Sequence, residues 1–117
     1  MAESKTLAAL DPTIRSRIGL SVKEIADFCE EWQIASLDLF GSVLREDFGP
    51  NSDLDFLFTY TPDASRSLLR LVRMKHQLED LTSRSVDLIN RKSIEESKNW
   101  IRRREILTTA QNIYVQG

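Results

Sequence analysis

Sulfur, proline and glycine are scarce in this chain: of 117 residues, one is cysteine, three are proline and four are glycine. A lone thiol, Cys29, cannot close an internal disulfide, so the fold must rest on its own core. That composition suits a reducing compartment, and a cytoplasmic location is the expectation. So little Pro and Gly, with no low-complexity tract and no internal repeat, excludes linker-like and solenoid chains. No apolar run is long enough to span a membrane, and Met1-Ala2-Glu3-Ser4-Lys5 does not lead from basic residues into an apolar stretch. Neither a membrane span nor a signal peptide is therefore expected. A basic surplus is missing too. Sixteen Lys and Arg stand against eighteen Asp and Glu, a net charge of −2, which argues against duplex DNA as a ligand and leaves only local basic patches.

What is present is ordinary for a folded domain: 41% hydrophobic and 29% charged residues. The length suits one domain, able to bury roughly 65% of its unfolded surface. Residues 1–20 are weakly patterned and are expected to form an arm or short helix starting at Asp11-Pro12. The domain proper is expected over residues 21–117. Ser21 and Glu24 form a capping box, and Val22, Ile25, Ala26, Cys29 and Trp32 make a helical stripe over residues 21–33. Cys29 is thereby a core residue.

Residues 34–40 alternate as a strand and stop at Gly41-Ser42. Residues 43–47 have room for one helical turn, and Phe48-Gly49-Pro50-Asn51-Ser52 must be a loop. Residues 53–60 form a second strand, with Asp53, Asp55 and Leu57 on one face and Leu54, Phe56 and Phe58 on the other. The short interval favours antiparallel pairing of these strands. A long helix is expected over residues 64–82, with Leu68, Leu69, Leu71, Val72, Leu78 and Leu81 buried. A strand follows over residues 85–89, then a helix over 92–104 with Ile94 and Trp100-Ile101 on its apolar side. Residues 106–114 are either a last helix or an extended tail. The fold class is α+β: a small mixed sheet with helices packed on it. Trp32 and Trp100 are assigned to the core and His76 to the surface. Tyr60 is read as structural, with lining of a ligand pocket as its alternative. Tyr114 either packs on the sheet or docks a partner.

The chemistry lies in three fragments, each weak alone. Asp53 and Asp55 project from one face of a greasy strand. Two such carboxylates repel each other and are comfortable only in water or around a cation. Gly41-Ser42, at a sharp turn, lets a backbone or phosphate approach closely and adds a hydroxyl. Asp87, flanked by Val86 and Leu88, joins the pair if its strand lies beside theirs. Three converging carboxylates suit two metal ions in a phosphoryl-type displacement.

Gly41-Ser42, ten residues, then Asp53-Leu54-Asp55 resembles the signature of the DNA polymerase β-like nucleotidyltransferases. The flanking Leu39-Phe40 and Asn51-Ser52 are similar to the minimal nucleotidyltransferase branch, over roughly residues 22–114. Many relatives carry a basic residue directly after Gly-Ser; here it is Val43, and Arg45 follows. The resemblance implies a polymerase β-like fold, ATP as co-substrate and two Mg²⁺ ions. It implies catalytic and metal-binding roles for Asp53, Asp55 and Asp87, and nucleotide contacts from Gly41, Ser42 and Arg45. Arg45 is equally readable as a surface charge.

Stand-alone relatives of this size resemble MntA-like antitoxins, paired with HEPN-domain ribonuclease toxins. The implied activity is transfer of AMP to a tyrosine of the toxin, in a hetero-oligomer. Two alternatives stay open: an antitoxin that blocks by binding alone, and a nucleotidyltransferase acting on a small molecule or an RNA end. RNA would call on Arg91-Lys92 and Arg102-Arg103-Arg104. The triplet otherwise reads as a solvated helix C-terminus.

Overall fold

The computed structural model describes residues 10–116. Asp11 opens helix α1 (Pro12–Ile18) by accepting a hydrogen bond from the Thr13 amide at 2.7 Å, and the helix ends at left-handed Gly19. Helix α2 (Val22–Glu31) starts with the expected box: Ser21 Oγ accepts from the Glu24 amide, and the Glu24 carboxylate accepts from the Ser21 amide. Strand β1 (Ile34–Phe40) runs into a 3₁₀ turn over Gly41–Leu44. Strand β2 (Leu54–Tyr60), helix α3 (Leu68–Thr82) and strand β3 (Val86–Asn90) follow. Helices α4 (Arg91–Glu95) and α5 (Trp100–Thr109) then lead into strand β4 (Gln111–Val115).

The four strands form one mixed sheet in the order β3-β2-β1-β4. β2 and β4 both run antiparallel to β1, and β3 runs parallel to β2. The connection through α3 supplies the length that a parallel return needs. The α+β architecture expected from the sequence is the one observed. Among the described residues, no helix is long and apolar enough to cross a membrane.

Strand alternation splits the apolar residues between two clusters. Leu37, Leu39, Leu54, Phe56, Phe58 and Leu88 pack with Ile25, Phe28 and Cys29 of α2 and with Met74 and Leu78 of α3. Phe40 and Leu57, on the opposite face, meet Ile94 of α4 and Ile106 of α5. Cys29 is fully buried, and burial pushes its thiol pKa up, as suits a core residue.

Four expectations need correction. The helix predicted over residues 64–82 begins only at Leu68, because Ser67 caps it by accepting from the Arg70 amide. Met74 and Leu78 carry its buried face, while Leu68 and Leu69 are 75% and 61% exposed, and Val72 and Leu81 are also exposed. The helix predicted over residues 92–104 is two helices, because Asn99 restarts the chain by capping Arg102. Trp100 and Ile101 are 59% and 62% exposed, not core; Ile106 is the buried anchor of α5. The stretch 106–114, read as a last helix or an extended tail, divides: residues 106–109 finish α5, and β4 then closes the β1 edge, burying Ile113 and Tyr114. Leaving Ile113 as Ala should therefore cost ~2–5 kcal/mol. Trp100→Ala should stay within about 0.5 kcal/mol. Urea unfolding of the two variants measures both; equal, small effects would contradict an integral β4.

Candidate active site

Gly41 sits where β1 breaks into the 3₁₀ turn, with φ at +77°. Its missing side chain matters twice. The backbone is left-handed, and a Cβ built there would overlap the Asp55 carboxylate. Phe40, the preceding residue, is the cross-strand partner of Asp55. The chain therefore turns directly against the carboxylate. Ser42 Oγ lies 3.4 Å from the Asp53 carbonyl, a long bond that ties the turn to the start of β2.

Parallel pairing puts Asp87 of β3 in register with Asp55. Asp53 is exposed just before β2, Asp55 is half-buried, and Asp87 is exposed. The structure thus brings together Gly41, Ser42, Asp53, Asp55 and Asp87 at one end of the sheet. Among the described residues, no hydrogen bond or ion pair reaches the three carboxylates. Burial pushes the Asp55 pKa up to about 6, with the negative charges of Asp87 and then Asp53 adding to the shift. Arg45 and Arg102 pull it back down.

Asp38 is the instructive contrast. It lies two residues before Phe40 on the same strand face and is more buried than Asp55, yet it is fully partnered. Arg91 donates to one of its oxygens at 2.7 Å and Asn112 to the other at 2.6 Å. The fold neutralises one carboxylate and leaves its neighbours crowded.

The flanking residues divide clearly. Val43, the position directly after Gly-Ser, is fully buried in the core, so no cation is accommodated there. Arg45 is exposed, pairs with Asp47 at 3.5 Å, and stands near enough to Asp55 to act on its charge. Arg102 joins it from α5, one helical turn before Ile106, whose side chain packs on Phe40 and Leu57. The sequence placed Arg102–Arg104 at a helix C-terminus; they occupy the first half of α5 instead. Sequence reasoning missed Arg102 at the site, and the only local signal was its i, i+4 spacing from Ile106. It also missed two arginines that pin the intervening loop. Arg17 donates to the carbonyls of Val43 and Arg45 at 2.9 and 2.6 Å. Arg84 donates to those of Gly49 and Ser52, each at 3.0 Å. Both guanidinium groups sit over the Phe48 ring, at 5.2 and 4.3 Å from its centroid. Tyr60 is at the far end of β2 from Asp55, edge-on to Phe58, with its hydroxyl donating to Met74 Sδ; its role is structural.

Among the described residues, no three His, Cys, Asp or Glu side chains are gathered as a ready-made metal cage. The donor set nevertheless fits Mg²⁺. It is all oxygen and free of competing cations in direct contact, and Mg²⁺ is usually held by one or two carboxylates with substrate phosphates completing the shell.

The raised Asp55 pKa fixes the sign of a stability effect. Below its ordinary value of 3.8 the carboxyl is neutral in both folded and unfolded chains, and the cluster costs nothing. As pH rises towards about 6 the unfolded chain ionises first, so folding is penalised, and the penalty is complete above that value. Asp55→Asn should therefore be more stable than wild type near neutral pH, on the order of 1 kcal/mol after discounting for solvent screening. The gain should vanish in acid. Urea unfolding across pH checks this; equal stabilities at neutral pH would contradict the crowding.

The family described as nucleotidyltransferase domain matches residues 22–110. Two proteins of Methanocaldococcus jannaschii that bear the name protein adenylyltransferase are similar in sequence. One is 38% identical over 56% of this chain, a stretch spanning 64% of its own length. The other is 32% identical over 77% of this chain and 83% of its own. A solved structure described as a minimal nucleotidyltransferase superposes with a TM-score of 0.60 at 27% identity, covering 88% of this chain and 96% of that one. A Shewanella oneidensis complex, a tri-AMPylated HEPN toxin with its MNT antitoxin, shares the fold at a TM-score of 0.57 and 11% identity, over 88% of this chain and 73% of that one. With the motif, its geometry and the match over residues 22–110 in agreement, the chain belongs to the nucleotidyltransferase domain family.

Proposed function

We propose that this protein is a cytoplasmic, Mg²⁺-dependent protein adenylyltransferase. It transfers AMP from ATP to a tyrosine of a HEPN-domain ribonuclease toxin and so acts as the toxin's antitoxin. One observation carries the reading: the unpaired Asp55 carboxylate lies against Gly41, with Asp87 in register on the neighbouring strand and Asp53 two residues before it. The names of the sequence relatives and the toxin–antitoxin complex with the same fold support the acceptor class.

In this reading Gly41 and Ser42 hold the β- and γ-phosphates, through backbone approach and the Ser42 hydroxyl. Arg45 adds a cation beside them, and Arg102 a second from α5. Asp53 and Asp55 would hold two Mg²⁺ ions, and Asp87 would complete the shell of one; bound there, the ions neutralise phosphate charge and polarise the reacting oxygens. A tyrosine hydroxyl has a pKa near ~10 and is a poor nucleophile at neutral pH. Asp87 accepts its proton as the phenolic oxygen bonds to the α-phosphorus. The bond from the α-phosphorus to the bridging oxygen breaks, and pyrophosphate leaves. The pinned loop between Ser42 and Asp53 keeps phosphate and metal ligands in fixed relation, which is the positioning such displacements depend on.

The test incubates the protein with its cognate toxin, ATP labelled at the α-phosphate, and Mg²⁺. Label should appear on a toxin tyrosine. Asp53→Ala and Asp87→Ala should lose it by roughly a hundredfold or more while circular dichroism stays unchanged. A toxin that is silenced in a stable complex without acquiring label would contradict catalysis and leave blocking by binding alone.

A further inference from the structure

Two large apolar side chains stand in water near the carboxylate site: Trp100 and Ile101, in the first turn of α5. Asn99 caps that turn by accepting from the Arg102 amide, so both are presented by a regular helix rather than a loose loop. Their exposure follows from the phase of the helix. Ile106 anchors the buried face, and Ile101, five residues earlier, points away from it. Glu105, Ile106 and Thr109 bring one flank of α5 against Gly41 and Phe40. Arg102 lies on that flank, one turn before Ile106, and acts on the charge of Asp55. Trp100 and Arg104 lie on the other side of Ile101. The helix thus turns one flank to the site and an apolar ridge to solvent.

Charge decides what such a ridge accepts. Residues 98–104 include Lys98, Arg102, Arg103 and Arg104 and no acid, in a chain whose net charge is −2. Arg103 is tied to the Ser97 carbonyl at 2.8 Å. Lys98, Arg102 and Arg104 are exposed, and among the described residues none forms a salt bridge. A second copy related by a two-fold axis would set these cations against their own images, which disfavours self-pairing. A phosphate backbone wants an unbroken cationic track. Here the crest is Ile101, and the acid Glu105 stands one turn beyond it. A protein surface with an apolar centre and an acidic rim matches every part of the ridge. Tryptophan and arginine are also the residues that carry most of the energy of protein interfaces.

We propose that the first half of α5 docks the acceptor protein, whose apolar patch covers Trp100 and Ile101 and whose acidic residues meet Lys98 and Arg104. That this partner is the one receiving AMP rests on the transfer reading above. A protein seated on the ridge is separated from the Asp55 cluster only by the Arg102 flank, so one contact both holds it and sets a neighbouring segment beside the reacting end of the sheet.

Calorimetry on the full chain tests this with two probes, the cognate toxin and Mg²⁺ with ATP. Trp100 and Ile101 are already in water, so a chain carrying both Trp100→Ser and Ile101→Ser should fold as wild type does. It should bind the toxin at least about tenfold more weakly and bind ATP unchanged. Arg104→Glu should also weaken toxin binding and make it less sensitive to salt. Toxin binding by the double variant equal to wild type would overturn the proposal. So would a parallel loss of ATP binding, which marks a disturbed fold, or a wild-type dimer that the double variant splits. Displacement of the toxin from wild type by single-stranded RNA, with RNA binding lost in the double variant, would assign the ridge to RNA instead. Labelling of the toxin with AMP is read separately. Its absence with wild type removes the transfer reading, while the comparison of toxin binding still decides the docking surface.

Discussion

An unpartnered carboxylate, Asp55, set in register with Asp87 and against a glycine that alone can stand so close, is the constraint around which this small domain is organised. Asp55 and Asp87 are opposed across parallel strands, Asp53 is adjacent, and Gly41 abuts the Asp55 carboxylate. Such crowding works against folding near neutral pH, because ionising Asp55 inside the cluster is harder than in water. A protein gains nothing structural from that arrangement. The same strands neutralise Asp38 completely with Arg91 and Asn112, so unpaired carboxylates are not forced by the architecture.

The rest of the fold can be understood as support for that cluster. The antiparallel β1–β2 pair sets Phe40 against Asp55, and the helical return through α3 sets β3 parallel so that Asp87 falls in register. Arg17 and Arg84 grip the carbonyls of the connecting loop and cover Phe48, which makes a turn-rich segment a fixed spacer. Helix α5 packs Ile106 under the site and carries Arg102 to within electrostatic reach of Asp55. Two cations thus flank the cluster without pairing to it, as a site awaiting phosphates requires.

Much of this was legible in the sequence, because the informative signals were local. The Ser21–Glu24 box, the alternation of β1 and β2, and the glycine at the end of β1 act over a few residues. The spacing from Gly41-Ser42 to Asp53 and Asp55 is likewise a property of one hairpin. What escaped were features decided by distant partners. Residues 111–115 become a strand only because β1 has a free edge to offer. Trp100 and Ile101 carry an apolar signal but lie off the face that Ile106 anchors, and Asn99 caps the start of a new helix where the periodicity would have continued the old one. Arg102, Arg17 and Arg84 act on residues far from them in the chain, and nothing in their immediate surroundings marks them.

The claim on which the account turns is that these carboxylates hold a divalent cation together with a nucleotide. Electron paramagnetic resonance with Mn²⁺ tests it without any protein partner. With a non-hydrolysable ATP analogue present, the free Mn²⁺ signal should fall as wild-type protein is added, and Asp55→Asn should leave it essentially unchanged. Equal loss of signal with wild type and variant would contradict the account.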